Sequence, residues 1–236
     1  MPKIDKSQFT KTEWQRIKQQ RRLQKNLSKT KFSVKSSSDY KTAFVLGNGV
    51  SRKPVNPEDL QKHGTVYGCN ALYRSFAPDY LVAVDVKMVA EINKYGYQHN
   101  NEVWTNPNKS YKAMKNLNFF HPAKGWSSGP TALWLASQHG YSRIFILGFD
   151  YQGLEEGKRF NNLYADTFNY KKSRDPATFY GNWLRQTRTV VKDHPDIQYI
   201  RVIESGNFCP EELDKFDNFK TVYMEDFQRI IDNQSS

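Results

Sequence analysis

Four short apolar runs, each closed by glycine or a small polar cluster, constrain the fold of this chain most. Thr42-Ala43-Phe44-Val45-Leu46 enters Gly47-Asn48-Gly49-Val50-Ser51. Residues 65–70 (TVYGCN) end on Asn70, residues 79–85 (DYLVAVD) end on Asp85, and residues 143–150 (RIFILGFD) end on Asp150. Such runs read as buried strands entering turns. Between them, residues 86–95 have helical spacing, and residues 102–105 make a fourth, shorter strand. The segment Trp126-Ser127-Ser128-Gly129-Pro130 opens a helix, with serine at its start, proline in its first turn and Gly140 at its end. Further along, the pattern predicts a helix over about 176–193, a strand over 197–203 and a helix over 224–232. Residues 106–125 and 152–175 are polar and carry no clear period.

Short strands alternating with helices predict an α/β fold with helices on both faces of a mainly parallel sheet. The expectation is a single Rossmann-like domain over 41–236, with a basic N-terminal arm over 1–40 and an aromatic lid region at about 152–183. The polar clusters all follow strand ends, which is where open α/β sheets bind ligands.

Composition narrows the class. The 236 residues include 34 aromatics, a content that argues against wholesale disorder. No apolar run approaches a membrane span, and the first fifteen residues lack the apolar core of a signal peptide. Cys69 and Cys209 form no CxxC pair, so they read as reduced thiols. Together these features lead to the expectation of a cytoplasmic protein. The net charge of +11 is concentrated: residues 1–40 hold eleven Lys or Arg against three acids. That arm reads either as an anchor for nucleic acid or another polyanion, or as a solvated tail or helix packed on a second chain.

Each polar cluster has a chemical and a plain reading. The GNGVS turn can aim amides at a phosphate, or be only a tight turn. It is not a dinucleotide fingerprint, because Arg52 stands where the third glycine belongs. Asn70 suits the edge of a ribose or base, or holds a loop. Ser127, Ser128 and Gly129 make an anion site at a positive helix end, or simply cap it. Asp85 and Asp150 can bind Mg²⁺ or ribose, or act as a base. The alternative for both is bonding to loop amides. Residues 160–170 (FNNLYADTFNY) and 178–183 (TFYGNW) carry the Tyr, Asn and Trp of sugar and nucleoside pockets. Asn162, Tyr164, Asp166 and Trp183 are the candidate lid contacts, against an ordinary loop or oligomer interface. The five histidines have no metal-binding spacing, and neither a P-loop nor a GxSxG elbow occurs.

The order GNG-x-S, CN, SSG and GYSRIFILGFD, over about residues 42–152, resembles the single-domain bacterial sialyltransferases that use CMP-sialic acid. It also resembles the MptE-like proteins, which include an archaeal 6-hydroxymethylpterin pyrophosphokinase. The resemblance implies that Asn48 and Asn70 face the nucleotide, with Ser127, Ser128 and Gly129 near phosphate or sugar; Gly47, Gly49 and Ser51 of the turn are the remaining nucleotide-binding candidates. It puts Asp150 at the rim and Tyr164 and Tyr180 near the leaving phosphate. Those sialyltransferases carry a histidine base shortly after the lid tyrosine, whereas this chain reads Tyr180-Gly181-Asn182-Trp183.

Three functions follow as expectations. The first is a nucleotide-sugar-dependent glycosyltransferase, with Asp150, Tyr180 and Asp85 as catalytic candidates. The second is Mg²⁺-dependent diphosphate transfer from ATP, with Asp85 and Asp150 as ligands. The third is a non-catalytic binding module, attached to nucleic acid or a larger assembly through the arm. No cofactor is implied beyond Mg²⁺ accompanying the nucleotide, and a homo-oligomer is compatible with the aromatic surface.

Overall fold

The computed structural model describes residues 42–232, so the expected basic arm lies outside the described residues. Eight strands form one all-parallel sheet: β1 (Thr42–Leu46), β2 (Thr65–Cys69), β3 (Tyr80–Val82), β4 (Val103–Thr105), β5 (Asn118–Phe119), β6 (Arg143–Leu147), β7 (Gln198–Ile203) and β8 (Phe219–Tyr223). Helices α1 (Pro57–Gln61), α2 (Val86–Lys94), α3 (Ser128–Gln138), α4 (Gly181–Asp193), α5 (Glu211–Asp214) and α6 (Met224–Asp232) connect and flank it. The strand order is β5-β4-β3-β2-β1-β6-β7-β8. The chain therefore starts in the middle, builds one side as far as β5, and returns across β1 to build the other.

The central strands are continuous apolar runs because both their faces are covered. Alternate residues serve opposite layers. Ala43, Val45, Ile144 and Ile146 pack towards α3 and α4, with Leu133, Ala136, Val190 and Val191. Phe44, Leu46, Phe145 and Leu147 pack the other way, against Leu60 of α1 and Phe227 and Ile231 of α6. The stack of Phe44 on Phe145 (centroids 5.4 Å apart) is closed edge-on by Phe227. A third cluster seats Met88, Val89 and Ile92 of α2 on Leu81 and Val103.

Two local expectations need correction, and two strands are added. The third strand starts at Tyr80, because the Asp79 carboxylate is turned aside to accept the Val66 amide at 2.9 Å. The helix expected from about 176 starts at Gly181. Pro176 before it is extended and bridges Arg159. Strands β5 and β8 were not anticipated. In β5 only two residues pair, and β8 lies at an edge with only Phe219 buried. Among the described residues, no helix is long and apolar enough to cross a membrane.

Candidate functional site

The strand order reverses between β1 and β6, which splays the loops leaving their carboxyl ends and opens a crevice between them. A cleft of about 490 Å³ sits there. Gly47, Asn48 and Gly49 after β1, Cys69 and Asn70 at the end of β2, and Val84 and Asp85 after β3 form its floor. Trp126, Ser127, Ser128, Gly129 and Pro130 at the start of α3 form one wall. Asn161 and Asn162, with Asn182, Trp183 and Gln186 of α4, form the other. Of the residues singled out in the sequence, Ser51, Asp150, Tyr180, Tyr164 and Asp166 are not among the lining residues.

The GNGVS turn is held by its own protein rather than opened to a ligand. Gly47 N–H donates to Leu147 O and Gly49 N–H to Gly148 O, continuing the sheet pattern. Val50 N–H donates to Asn161 Oδ1 at 3.0 Å and Ser51 N–H to Asp150 Oδ2 at 3.2 Å. Of the turn's five amides, only that of Asn48 has no acceptor among the described residues. The expected phosphate cradle is therefore a staple between β1 and β6. Glycine is required at 49 for a close approach: a Cβ there would fall on the Asp150 carboxylate and 2.7 Å from Gly148 O.

Asp150 is the other half of this staple. It is buried, and its carboxylate accepts from Ser51 Oγ, Ser51 N–H and Asn161 Nδ2. This is the plain reading of Asp150, a carboxylate bonded to a loop, and it leaves the group outside the cleft. Asp85, by contrast, is exposed and lines the cleft. It caps α2, with Oδ1 accepting the Lys87 amide at 2.9 Å, while Oδ2 has no partner among the described residues. It is the carboxylate of the lining. The two acids considered as a Mg²⁺ pair are thus not brought to one surface. Among the described residues, no group of three or more His, Cys, Asp or Glu is placed to hold a metal.

The α3 N-terminus differs from the GNGVS turn. Ser127 occupies the cap position without a side-chain cap bond, so the expected capping hydroxyl is absent. Ser128 Oγ instead donates to Asn70 Oδ1 at 2.8 Å and accepts the Val84 amide at 3.1 Å, tying the helix to the ends of β2 and β3. Ser127 N–H donates to Gln186 Oε1 at 3.0 Å, which fixes α4 beside α3. Pro130 removes one orphan amide by its chemistry. The Ser128 and Gly129 amides and the Ser127 hydroxyl then have no acceptor among the described residues, and all three residues face the cleft. Asn70 adopts a left-handed conformation (φ 51°), which asparagine tolerates. Its Oδ1 is taken by Ser128, so its Nδ2 is the end free to donate.

The segment between β6 and α4 folds over this edge, as a lid would, but its contacts are not those expected. Leu163 N–H donates to Asn48 O at 2.8 Å. The hydroxyl of half-buried Tyr170 accepts from Asn48 Nδ2 (3.4 Å) and from the Ala71 amide (3.4 Å). Desolvation holds that phenol above its ordinary pKa. Arg74 grips Glu91 through Nε and Nη2, both at 2.7 Å, and donates to Thr167 Oγ1 and Phe168 O, both at 2.8 Å. Asn169 Nδ2 also donates to Glu91, at 2.7 Å. Burial pushes the Glu91 carboxyl up, but the bonds from Arg74, Tyr73 and Asn169 outweigh it and hold the group below its ordinary 4.5.

Tyr164 packs on Tyr170 and meets Ser75 Oγ at 3.0 Å, away from the cleft. Asp166 lies in an exposed turn, where bonds with Ser173 lower its pKa. Neither residue is a cleft contact. Tyr180 is buried against Trp183 (5.0 Å, edge-on), and burial raises its pKa. It supports the wall and is not part of it. Asn162 and Trp183 do line the cleft. Asn162 Oδ1 accepts the Tyr164 amide at 2.9 Å. The sequence reading gave no individual binding role to Asn161, Gln186 or Trp126. Trp126 shares with Trp134 the Lys124 ammonium, which lies 5.0 and 3.7 Å from the two ring centroids. Burial draws that ammonium down to about 8.

The fold and the cleft define a Rossmann-like α/β protein with a polar and aromatic site at the switch point of its sheet. Comparison of the chain with family models, curated proteins and solved structures gives no match in any of the three.

Proposed function

We propose that the chain is a nucleotide-dependent transferase, and specifically a glycosyltransferase with a nucleotide-sugar donor. The observation that carries this reading is the α3 N-terminus. Its Ser128 and Gly129 amides and Ser127 hydroxyl open unpaired into the switch-point cleft. A helix end of this kind carries partial positive charge and favours phosphate. Around it, Asn70, Asn162 and Gln186 supply amides for a ribose or base, and Trp126 and Trp183 supply faces for ring stacking. The motif order that resembles CMP-sialic-acid sialyltransferases points the same way.

In this reading the bond between the sugar carbon and the donor's phosphate oxygen breaks. Its electron pair goes to the phosphate, where the α3 amides stabilise the growing charge. The acceptor hydroxyl forms the new bond to that carbon and passes its proton to Asp85 Oδ2. Asp150 is not the base, because Ser51 and Asn161 occupy its carboxylate. Diphosphate transfer with Mg²⁺ would rest on Asp85 alone among the lining carboxylates.

Isothermal calorimetry with CMP, CDP, UDP, GDP, ADP and ATP, each with and without Mg²⁺, tests this. One nucleotide is expected to bind without Mg²⁺ and to weaken about three- to tenfold in Ser127→Ala, the loss of one hydrogen bond. Binding of ATP alone, and only with Mg²⁺, would favour diphosphate transfer. Binding of none would overturn the nucleotide site.

A further inference from the structure

A second cleft, of about 540 Å³, lies at the opposite edge of the sheet, where β3, β4 and β5 begin. It shares no lining residue with the switch-point cleft. Residues 77–79 before β3, residues 98–102 before β4 and residues 116–118 entering β5 line it. The chain carries a net charge of +11, yet this lining holds Asp79 and Glu102 and no lysine or arginine. Both acids are half-buried. The carboxamides around them are all turned the same way. Gln98 Nε2 donates to Asn93 Oδ1 at 2.9 Å, and Asn101 Nδ2 to Tyr97 O at 2.8 Å. Asn116 Nδ2 donates to His99 Nδ1 at 3.2 Å, and Asn118 Nδ2 to Glu102 Oε2 at 2.8 Å. In all four the nitrogen is engaged, and the oxygen has no partner among the described residues. Gln98 is the decisive case. It is 2% exposed and lines the cleft, and its buried Oε1 accepts no hydrogen bond. Its Nε2 points to Asn93, which is not a lining residue, so Oε1 is the end towards the cleft. A buried acceptor left unpaired is costly, and a ligand that brings it a donor is favoured. Asp79 Oδ1 and Glu102 Oε1 add to the set, because the Val66 amide and Asn118 occupy only the other oxygen of each.

We propose that this second cleft binds a small organic cation, an ammonium or guanidinium compound. Such a group carries several donors and no acceptor, and so matches a wall of unpaired oxygens. The two carboxylates oppose an anion and suit a ligand with two positive charges. Half-buried, they are screened less than charges in open solvent. A neutral polyol brings one donor per hydroxyl and no charge, and gains less. The volume is that of a small-molecule site, about 300–1,000 Å³, and far exceeds a metal ion. Among the described residues, no group of three or more His, Cys, Asp or Glu is placed to hold a metal. The proposal stands apart from the nucleotide reading, since the two clefts lie at opposite ends of the strands.

Calorimetry and backbone amide NMR of the full chain with putrescine and with agmatine test this. The controls are 1,4-butanediol, the uncharged counterpart of putrescine, and calcium chloride as the metal alone. Saturable binding of at least one of the two dications is expected, with shifts concentrated at residues 98–102 and 116–118 and none at Ser128 or Gly129. The diol is expected to bind about tenfold more weakly or worse, for lack of charge-assisted hydrogen bonds. Asp79→Asn and Glu102→Gln remove a charge but retain an oxygen for the Val66 amide and for Asn118. Each is expected to weaken the dication about tenfold, the loss of one hydrogen bond to a charged group. Gln98→Met, which removes the buried acceptor, is expected to weaken it too; if that variant does not fold, the two carboxylate variants decide. No saturable binding of either dication would overturn the proposal. So would equal binding of the diol, affinity unchanged in both carboxylate variants, shifts spread over surface acids at large, or calcium taking this site in place of the dications.

Discussion

The β1 turn and the α3 N-terminus look alike on paper. Both are short, small-residue segments at the carboxyl edge of a parallel sheet, and both present backbone amides. The structure uses them oppositely. In the β1 turn the amides of Gly47, Gly49, Val50 and Ser51 all have acceptors within the protein, and the loop ties β1 to β6. At α3, Ser127 N–H is taken by Gln186, and the Ser128 and Gly129 amides are left open. The difference lies in partners distant in sequence: Asp150 and Asn161 reach the first segment, and among the described residues no carboxylate reaches the second. Composition alone does not make an anion site. What matters is whether the fold consumes the donors.

The sharpest way to break this comparison is to place the same substitution in each segment. Gly49→Ala puts a methyl onto the Asp150 carboxylate and is expected to destabilise the fold by about 3 kcal/mol or more. Gly129→Ala meets only the Phe149 ring, at 3.1 Å, and is expected to cost under about 1 kcal/mol. Urea denaturation checks both, and equal costs would undo the distinction.

Asp150→Ala leaves Ser51 and Asn161 without their acceptor. The expected loss is about 2–3 kcal/mol, the cost of buried donors left unpaired. Asp85→Ala, at an exposed cap, is expected to lose only about 1 kcal/mol of stability, while abolishing transfer if it is the base. A reversed pattern would restore Asp150 to the chemistry.

The segment over the cleft provides a pH test. The Glu91 carboxyl is held below 4.5 in the fold, so protonation costs the folded state more than the unfolded one. The stabilisation is therefore present above that value and is lost as pH falls through the lower, folded pKa. Protection factors for hydrogen exchange at residues 163–171, corrected for the intrinsic pH dependence, should stay high at pH 6 and fall below about pH 4. Glu91→Gln should lower the protection at pH 6 and remove its pH dependence. Protection independent of pH over this window in the wild type would detach Glu91 from the lid. The smallest expected effect is that of Ser127→Ala on stability, under about 0.5 kcal/mol, since its hydroxyl has no partner to lose.

The sequence shows some parts of this arrangement plainly and hides others. β1 and β6 are legible because burial on both faces demands a continuous apolar run, residues 43–46 and 144–147, and the turns after them need glycine. Helix α3 is legible from Ser127 to Gly140 for similar reasons. β5 is invisible because only Asn118 and Phe119 pair, and β8 because Lys220 and Tyr223 face outward from an edge. Within the cleft, Asn70, Asp85 and Ser128 could be found because they follow strand ends or open a helix. Tyr164 and Asp166 were drawn into the expected site by composition, yet one stacks on Tyr170 and the other closes an exposed turn. Asn161 and Gln186 have no individual role in the sequence reading because theirs depend on contacts with segments 111 and 59 residues away. No local pattern encodes those contacts.

The central claim is that the ligand's anionic group sits at the α3 N-terminus and not in the β1 turn. Backbone amide NMR during titration with the nucleotide that calorimetry selects tests this most directly. The account predicts large shifts at Ser128 and Gly129, with Gly47, Gly49, Val50 and Ser51 little changed. Large shifts in the β1 turn with Ser128 and Gly129 unmoved would contradict it.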